Sequence, residues 1–116
     1  MSYNLIFMGW NRAIPGREPL AGQLFQEVLQ YLAGQQQAGK IDSFEPVILS
    51  PHGGDLNGFV LVRGDAAQLS ALSANEEWQD HMTRATMNLD GFGVVWGAIG
   101  ETIAVQMARW NKFIPA

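Results

Sequence analysis

The sequence predicts an α+β fold of the split βαβ type, with a four-stranded antiparallel sheet in the order βαββαβ and an additional C-terminal helix. Three observations lead to this prediction. Short apolar segments bounded by Gly, Pro and Asn alternate with segments of helical periodicity. The two middle apolar segments are separated only by a turn, as in a hairpin. The strand segments are apolar at odd and even positions alike, so both faces of the sheet are expected to be apolar.

The composition is that of one folded domain, and it excludes several classes of function. The chain has 116 residues, of which 47% are hydrophobic and only 16% are charged, against about 25% in an average soluble domain. Its seven Lys and Arg are scattered and the net charge is −4, so we predict no nucleic-acid or membrane partner. There is no Cys, which fits a reducing compartment.

We therefore expect a single domain over residues 1–116, located in the cytoplasm. The segment Met1–Met8 has no basic lead and too short an apolar stretch for a signal peptide. The charge-free stretch Phe92–Gly100 is about half the length of a membrane span. No cofactor is predicted, because the glycines around Gly93 follow a helix and lie in a strand, which is the wrong context for a dinucleotide fingerprint.

The first strand and the first helix follow from the N-terminal third of the chain. Asn4–Trp10 is apolar and ends before Pro15-Gly16, which predicts a strand. Pro19 suits the first turn of a helix. Apolar residues then recur at helical spacing, at Leu20, Leu24, Phe25, Val28, Leu29 and Leu32. This helix is expected to run to about residue 38, with Gly39 as its C-cap.

A hairpin is predicted in the middle of the chain. Ile41–Ser50 forms its first strand, and Pro46 favours an edge position or an irregularity there. Pro51–Asp55 has the composition of a turn, and Leu56–Arg63 forms the returning strand.

Two helices and the last strand come next. Ala66, Leu69 and Leu72 predict a short helix, and the segment from Ser73 to Glu76 fits a capping box that opens a longer one. The longer helix carries apolar residues at Trp78, Met82, Ala85 and Leu89, and it is expected to end at Asp90-Gly91. Phe92–Ile99 is predicted to be the fourth strand.

The C-terminal segment has two possible structures. Strand alternation would pair Ile103, Val105 and Met107, whereas helical spacing gives a full i, i+4, i+7, i+11 series at Ile103, Met107, Trp110 and Ile114. We prefer the helix, with Thr102 as a possible cap and Pro115 at its end. The complete element order predicts a ferredoxin-like sheet with this extra helix.

A sheet that is apolar on both faces needs another element or subunit packed against each face. In the first strand, Leu5 and Phe7 point to one side and Ile6 and Met8 to the other. The two crossover helices of a split βαβ fold lie on one side only, and monomers avoid large exposed apolar patches. We therefore predict a homodimer in which two sheets face each other. The alternative is that the C-terminal helix covers the second face.

In element order and strand character, residues 4–99 resemble the dimeric α+β barrel superfamily. It includes small cofactor-free monooxygenases and the muconolactone isomerase-like, EthD-like and YCII-like proteins. The stretch Pro51–Phe59, followed by Arg63-Gly64-Asp65, is similar to an uncharacterised bacterial branch of this fold. The resemblance implies a homodimer with a ligand-sized cavity between each sheet and its helices, but no particular reaction. The His–Asp motif of the YCII-like group has no residue-by-residue match here.

Five side chains are the predicted ligand-binding residues: His52, Arg63, Trp78, His81 and Trp96. Of these, His81 is the candidate catalytic residue. It lies one helical turn after Glu77, and an imidazole beside a carboxylate suits general acid–base chemistry. The alternative is a helix histidine that simply pairs with Glu77.

The other candidates also have two interpretations each. His52 precedes Gly53-Gly54, which would form an anion-binding nest or would only supply the positive φ that a hairpin needs. Arg63 shares strand parity with Phe59 and would orient an anionic ligand or pair with a nearby acid such as Asp65.

The four tryptophans Trp10, Trp78, Trp96 and Trp110 would line an aromatic pocket, or they form core and interface. No metal site is predicted, because neither histidine has the spacing of a metal ligand set.

Three functions fit these patterns. The first is a homodimer that binds a small apolar or aromatic molecule between sheet and helices. The second is a cofactor-independent monooxygenase or isomerase acting on such a molecule, with His81 as acid–base and Arg63 or His52 orienting an anionic group. The third is a structural or interaction module.

Overall fold

The computed structural model describes residues 3–115. Met1, Ser2 and Ala116 lie outside the described residues, and so does the start of the segment Met1–Met8 that the signal-peptide prediction concerns. Its elements, in chain order, are β1 (Leu5–Trp10), β2 (Arg12–Ala13), α1 (Glu18–Gln37), β3 (Ser43–Ile48), β4 (Gly58–Arg63), α2 (Ala66–Ala74), α3 (Glu76–Asn88), β5 (Leu89–Asp90), β6 (Gly93–Gly97) and α4 (Glu101–Asn111). The main sheet has the strand order β3-β4-β1-β6, and every neighbouring pair is antiparallel. This is the predicted ferredoxin-like α+β fold, which is thereby confirmed.

A second, two-stranded sheet was not predicted. It pairs β2 with β5 and places Ala13 opposite Leu89, which ties the chain after β1 to the end of α3. Two-residue strands are too short to show an apolar alternation in the sequence, so periodicity cannot detect them.

The core lies on the side of the main sheet that faces the helices. Ile6, Met8, Val60 and Val62 project from β1 and β4 toward the helices and are buried. They pack with the apolar sides of the helices, which contribute Leu24, Val28 and Leu32 from α1, Leu69 and Leu72 from α2, and Trp78 and Ala85 from α3. The predicted helical spacing in α1 therefore identifies Leu24, Val28 and Leu32 correctly, whereas Leu20 is 50% exposed, and the helix also buries Ala21 and Tyr31.

The caps of α2 and α3 differ from the predicted capping box. Ser73 belongs to α2, and its hydroxyl donates to the Leu69 carbonyl. Asn75 caps α3, its Oδ1 accepting from the backbone N–H groups of Glu77 and Trp78 at 3.0 and 3.3 Å. The prediction at Ser73–Glu76 is therefore wrong: because α2 continues to Ala74, only Asn75 remains free to cap.

A reciprocal capping box does occur, at the start of α2. Asp65 Oδ1 accepts from the Gln68 backbone N–H, and Gln68 Oε1 accepts from the Asp65 backbone N–H, at 2.7 and 2.8 Å. Asp and Gln fulfil the same two roles as the Ser and Glu of the usual pattern.

The C-terminal segment is a helix, as preferred from the sequence, but it ends at Asn111 and not at the predicted Pro115. Gly100, with φ of 65°, is its N-cap residue in place of Thr102, which lies in the first turn and whose hydroxyl oxygen accepts from the Ile99 backbone N–H at 3.0 Å. In α4, all of whose residues the structure describes, no side chain is buried. The alternative that this helix covers the second sheet face is therefore wrong.

The second sheet face remains uncovered in the subunit. The register also places the Arg63–Glu45 ion pair on this face. We call it the open face, and its apolar residues are Leu5, Phe7, Val47, Phe59, Leu61 and Val95. All are half-buried except Val95, which is 59% exposed, and the rings of Phe7 and Phe59 stack at 5.1 Å between centroids.

None of the helices within residues 3–115 combines the length and the apolar character needed to cross a bilayer.

Candidate functional site

A cavity of about 270 Å³ lies between the main sheet, α1 and α3. It is half-enclosed, and we call it the sheet–helix cavity. Its lining residues come from the sheet (Met8, Trp10, Ile48, Val60), from α1 (Glu18, Ala21, Gly22, Leu24, Phe25, Val28), from α3 (Met82, Ala85) and from the flanking segments (Ala13, Leu89, Phe92). An apolar cavity of about 150 Å³ already holds benzene. This cavity is therefore large enough for a compact molecule of more than one ring.

An aromatic pair forms one wall of the sheet–helix cavity. The Trp10 and Phe25 rings meet edge to face, with centroids 5.8 Å apart. Trp10 lies at the end of β1 on the side that faces the helices, and Phe25 reaches it from α1. The Trp10 ring lies directly over Gly58 of β4, where a Cβ would be only 2.6 Å from it. Gly58 therefore leaves the space that Trp10 occupies.

The ionisable chemistry of the cavity is limited. Of the described residues that line it, Glu18 is the one with an ionisable side chain. Both carboxylate oxygens of Glu18 accept from the backbone N–H of Gly16, at 2.8 and 3.1 Å. The remaining lining side chains are apolar or are Gly22. Such a lining holds a molecule by shape and apolar contact more than by charge.

The predicted ligand-binding residues lie elsewhere and are not brought together. None of His52, Arg63, Trp78, His81 and Trp96 is among the described residues that line the cavity. Trp78 is buried in the core, and Trp96 packs against the core from β6.

His81 belongs to α3, its ring packs toward α1, and the residue is only 7% exposed. Its ring is tilted against that of Tyr31 at 5.2 Å between centroids. Its Nε2 is 3.6 Å from Oε2 of Glu77, and neither ring nitrogen has a hydrogen-bond partner among the described residues. The predicted proximity to Glu77 is present, but the ring is packed among helices.

The neighbour of His81, Tyr31, connects α1 to the cap of α3. Its hydroxyl donates to Oδ1 of Asn75 at 2.9 Å. Burial, and then the charge of Glu77, raises the pKa of Tyr31 above its ordinary value. Both causes disfavour the phenolate, so the folded state holds this proton more tightly than the unfolded chain.

Tyr31→Phe is expected to lower the free energy of unfolding by about 1 kcal/mol at neutral pH, because one buried hydrogen bond is lost. The Tyr31 contribution from its raised pKa is present below the unfolded pKa of about 10 and is lost as pH rises through the folded pKa. The variant should therefore lose less stability than wild type between pH 9 and 11 in urea unfolding. Tyr3→Phe, at an exposed tyrosine, is the control; equal alkaline slopes in wild type and Tyr31→Phe would contradict the assignment.

His52 and Arg63 lie outside the cavity as well. His52 is exposed, and its Nδ1 is 3.0 Å from the Ser50 carbonyl oxygen. Gly53 has φ of 82°, the backbone conformation that the turn requires of a glycine. Arg63 shares its sheet side with the open face, and its Nη2 donates to Oε2 of Glu45 at 3.2 Å. The acid that pairs with Arg63 is thus Glu45, not Asp65.

Sequence reasoning did not identify the cavity wall. The sequence patterns predicted Trp10 as a strand end and one of four tryptophans, and Phe25 only as part of a helix. A signal did exist: Trp10 continues the side of β1 that carries Ile6 and Met8, at the strand end where the core opens. Within residues 3–115, no three His, Asp or Glu side chains are grouped closely enough to hold a metal ion.

Comparison with known proteins shows the fold alone. No family model matches the chain, and no curated protein matches it. A solved structure from Bacteroides fragilis, described as a dimeric protein of unknown function with a ferredoxin-like fold, is similar with a TM-score of 0.57 and 8% sequence identity. The match covers 82% of this chain and 95% of that one. The predicted ferredoxin-like fold is therefore confirmed.

Proposed function

We propose that this protein is a homodimer that binds a compact apolar or aromatic molecule in the sheet–helix cavity of each subunit. The observation that carries the proposal is the cavity lining: about 270 Å³ of space is enclosed by apolar side chains and the Trp10–Phe25 pair, with Glu18 at its border. Ligand sites of small proteins combine such an apolar lining with few polar groups. A neutral ring system fits this chemistry better than an anion does.

Binding is favoured over catalysis by the position of the titratable groups. A general acid or base must reach the substrate within hydrogen-bond distance. His81, the candidate for this role, does not line the cavity, and Glu18 already accepts two contacts from the Gly16 N–H. A monooxygenase or isomerase reaction in this cavity would therefore have to proceed without His81.

The homodimer is supported by the open face. An apolar sheet surface that includes the stacked Phe7 and Phe59 rings is of the kind that monomers avoid exposing. Two copies of this sheet would pack face to face around a twofold axis, because each subunit presents the same surface to the other. The Bacteroides fragilis protein of the same fold is described as dimeric.

The binding proposal is tested with the fluorogenic apolar probe N-phenyl-1-naphthylamine. We expect wild type to bind it with a fluorescence increase, and Gly22→Leu to weaken the affinity roughly tenfold or more. Gly22 lines the cavity, and a Cβ there meets no atom within 4 Å, so the leucine is accommodated without a backbone clash and fills the opening.

Gly34→Leu is the matched control. Gly34 belongs to the same helix α1, also has free space around its Cβ position and lies away from the cavity. Replacing either glycine favours the helix by up to about 1 kcal/mol, so both variants should fold. Equal probe affinity in the two variants, or no binding by wild type, would overturn the binding proposal.

A further inference from the structure

Helix α4 exposes an apolar side that nothing in its own subunit covers. Ile103, Met107 and Trp110 lie on one side of α4 at i, i+4 and i+7, and they are 45–54% exposed. We call them the α4 stripe. The half-buried residues of this helix, Thr102 and Gln106, lie beside the stripe and mark the side that contacts the subunit.

The base of α4 is anchored to the sheet. The Asn4 side chain donates from Nδ2 to the Ile99 carbonyl at 3.0 Å, and its Oδ1 accepts from the Ile99 N–H and from the Thr102 hydroxyl, each at 2.9 Å. These contacts join the start of β1 to the start of α4. The helix therefore leaves the sheet in a defined direction, with its stripe free.

The subunit is more extended than a compact chain of its length, and it exposes more surface. The radius of gyration is 15.9 Å, where a compact chain of this length has about 13.4 Å. The accessible surface is 7207 Å², where a monomer of 12.7 kDa has about 6200 Å². The excess of about 1000 Å² is close to the roughly 800 Å² that each partner buries in a stable protein interface.

We propose that α4 is an arm that packs its stripe onto the second subunit of the homodimer. This inference rests on the homodimer proposed above and adds the surface that completes it. The second copy is favoured because α4 follows the edge strand β6, whose exposed Val95 belongs to the open face. The subunit that covers the open face therefore lies next to the base of the arm, and twofold symmetry makes the exchange reciprocal.

A membrane surface fits the arm less well than a second copy does. Helices that lie on membranes carry many Lys and Arg on their polar side. The polar side of α4 has Glu101 and Arg109, with Lys112 directly after the helix.

The test measures the dimer dissociation constant by sedimentation equilibrium for two double variants. Met107→Gln with Trp110→Gln removes two of the three stripe residues and should raise this constant roughly 30-fold or more. Val105→Gln with Ala108→Gln changes the opposite side of the same helix and should leave it within about threefold. All four side chains are exposed in the subunit, so both double variants should fold as wild type does.

The second measurement identifies which subunit the arm touches. Because the chain has no Cys, Arg109→Cys accepts a spin label at one position only. The labelled chain is mixed with ¹⁵N-labelled wild type, and we expect broadening of amide signals in the ¹⁵N chain. A wild-type chain that is monomeric overturns both the homodimer and the arm. If wild type is dimeric but the Met107→Gln, Trp110→Gln variant has the same dimer dissociation constant, the arm alone is overturned. The absence of intermolecular broadening in a dimeric wild type also overturns the arm alone.

Discussion

Replacing Phe59 by lysine is expected to make the chain monomeric at concentrations where wild type forms the proposed homodimer. Phe59 lies on the open face, stacked on Phe7. In a face-to-face dimer the lysine would be buried without a partner, which costs several kcal/mol. The dimer dissociation constant should rise roughly 100- to 1000-fold. Light scattering and sedimentation equilibrium measure this change directly.

A second variant separates the interface from the fold. Val95 is on the same open face but is 59% exposed in the subunit, so Val95→Lys leaves the subunit fold intact and should also dissociate the dimer. Leu20→Lys, at a half-exposed position on α1, introduces the same charge away from the open face and should leave the dimer unchanged. A Val95→Lys protein that stays dimeric with an unaltered dissociation constant would refute face-to-face apposition.

Gly58→Ala is expected to lower the free energy of unfolding by about 2 kcal/mol and to weaken probe binding in the sheet–helix cavity. The added Cβ would come within 2.6–2.9 Å of three atoms of the Trp10 indole. The indole is a rigid ring, so Trp10 must move, and it can only do so at the expense of the Phe25 contact or the cavity space. Urea unfolding and titration with N-phenyl-1-naphthylamine measure the two effects.

Gly97→Ala is the matched control for this variant. Gly97 also lies in a strand of the main sheet, but its added Cβ would be 3.7 Å from Leu5, an ordinary contact. It should unfold within about 0.5 kcal/mol of wild type and bind the probe normally. If Gly58→Ala behaves like Gly97→Ala, then Trp10 is not held in place by Gly58, and the wall of the cavity is more adaptable than its geometry indicates.

The fold was predictable because its periodic signals arise from burial on one side of each element. Leu24, Val28 and Leu32 repeat at helical spacing because α1 buries one side against the sheet. Local capping was less predictable. Ser73–Glu76 has the residue types of a capping box, but the cap is Asn75, because the length of α2 is decided by packing and not by the four residues of the motif.

The candidate site was not predictable from residue chemistry. Histidine, arginine and tryptophan attract attention because they can perform chemistry, yet His81 and Trp78 are buried and Arg63 pairs with Glu45 on the opposite side of the sheet. The cavity is lined mostly by common apolar residues from α1, α3 and five strands. Their convergence depends on how the helices lie across the sheet, which no local pattern encodes.

The apolar residues at odd and even positions of the strands already predicted a sheet with two largely apolar faces and one set of helices. Alternation along each strand is a local property, so the sequence by itself identifies which residues share a side. The direction of the C-terminal helix is not a local property. It depends on the angle at which the chain leaves β6 at Gly100 and on the contacts of Asn4 with Ile99 and Thr102. Only the tertiary structure shows that the helix projects away, so that residues 3–115 leave both the open face and the α4 stripe uncovered.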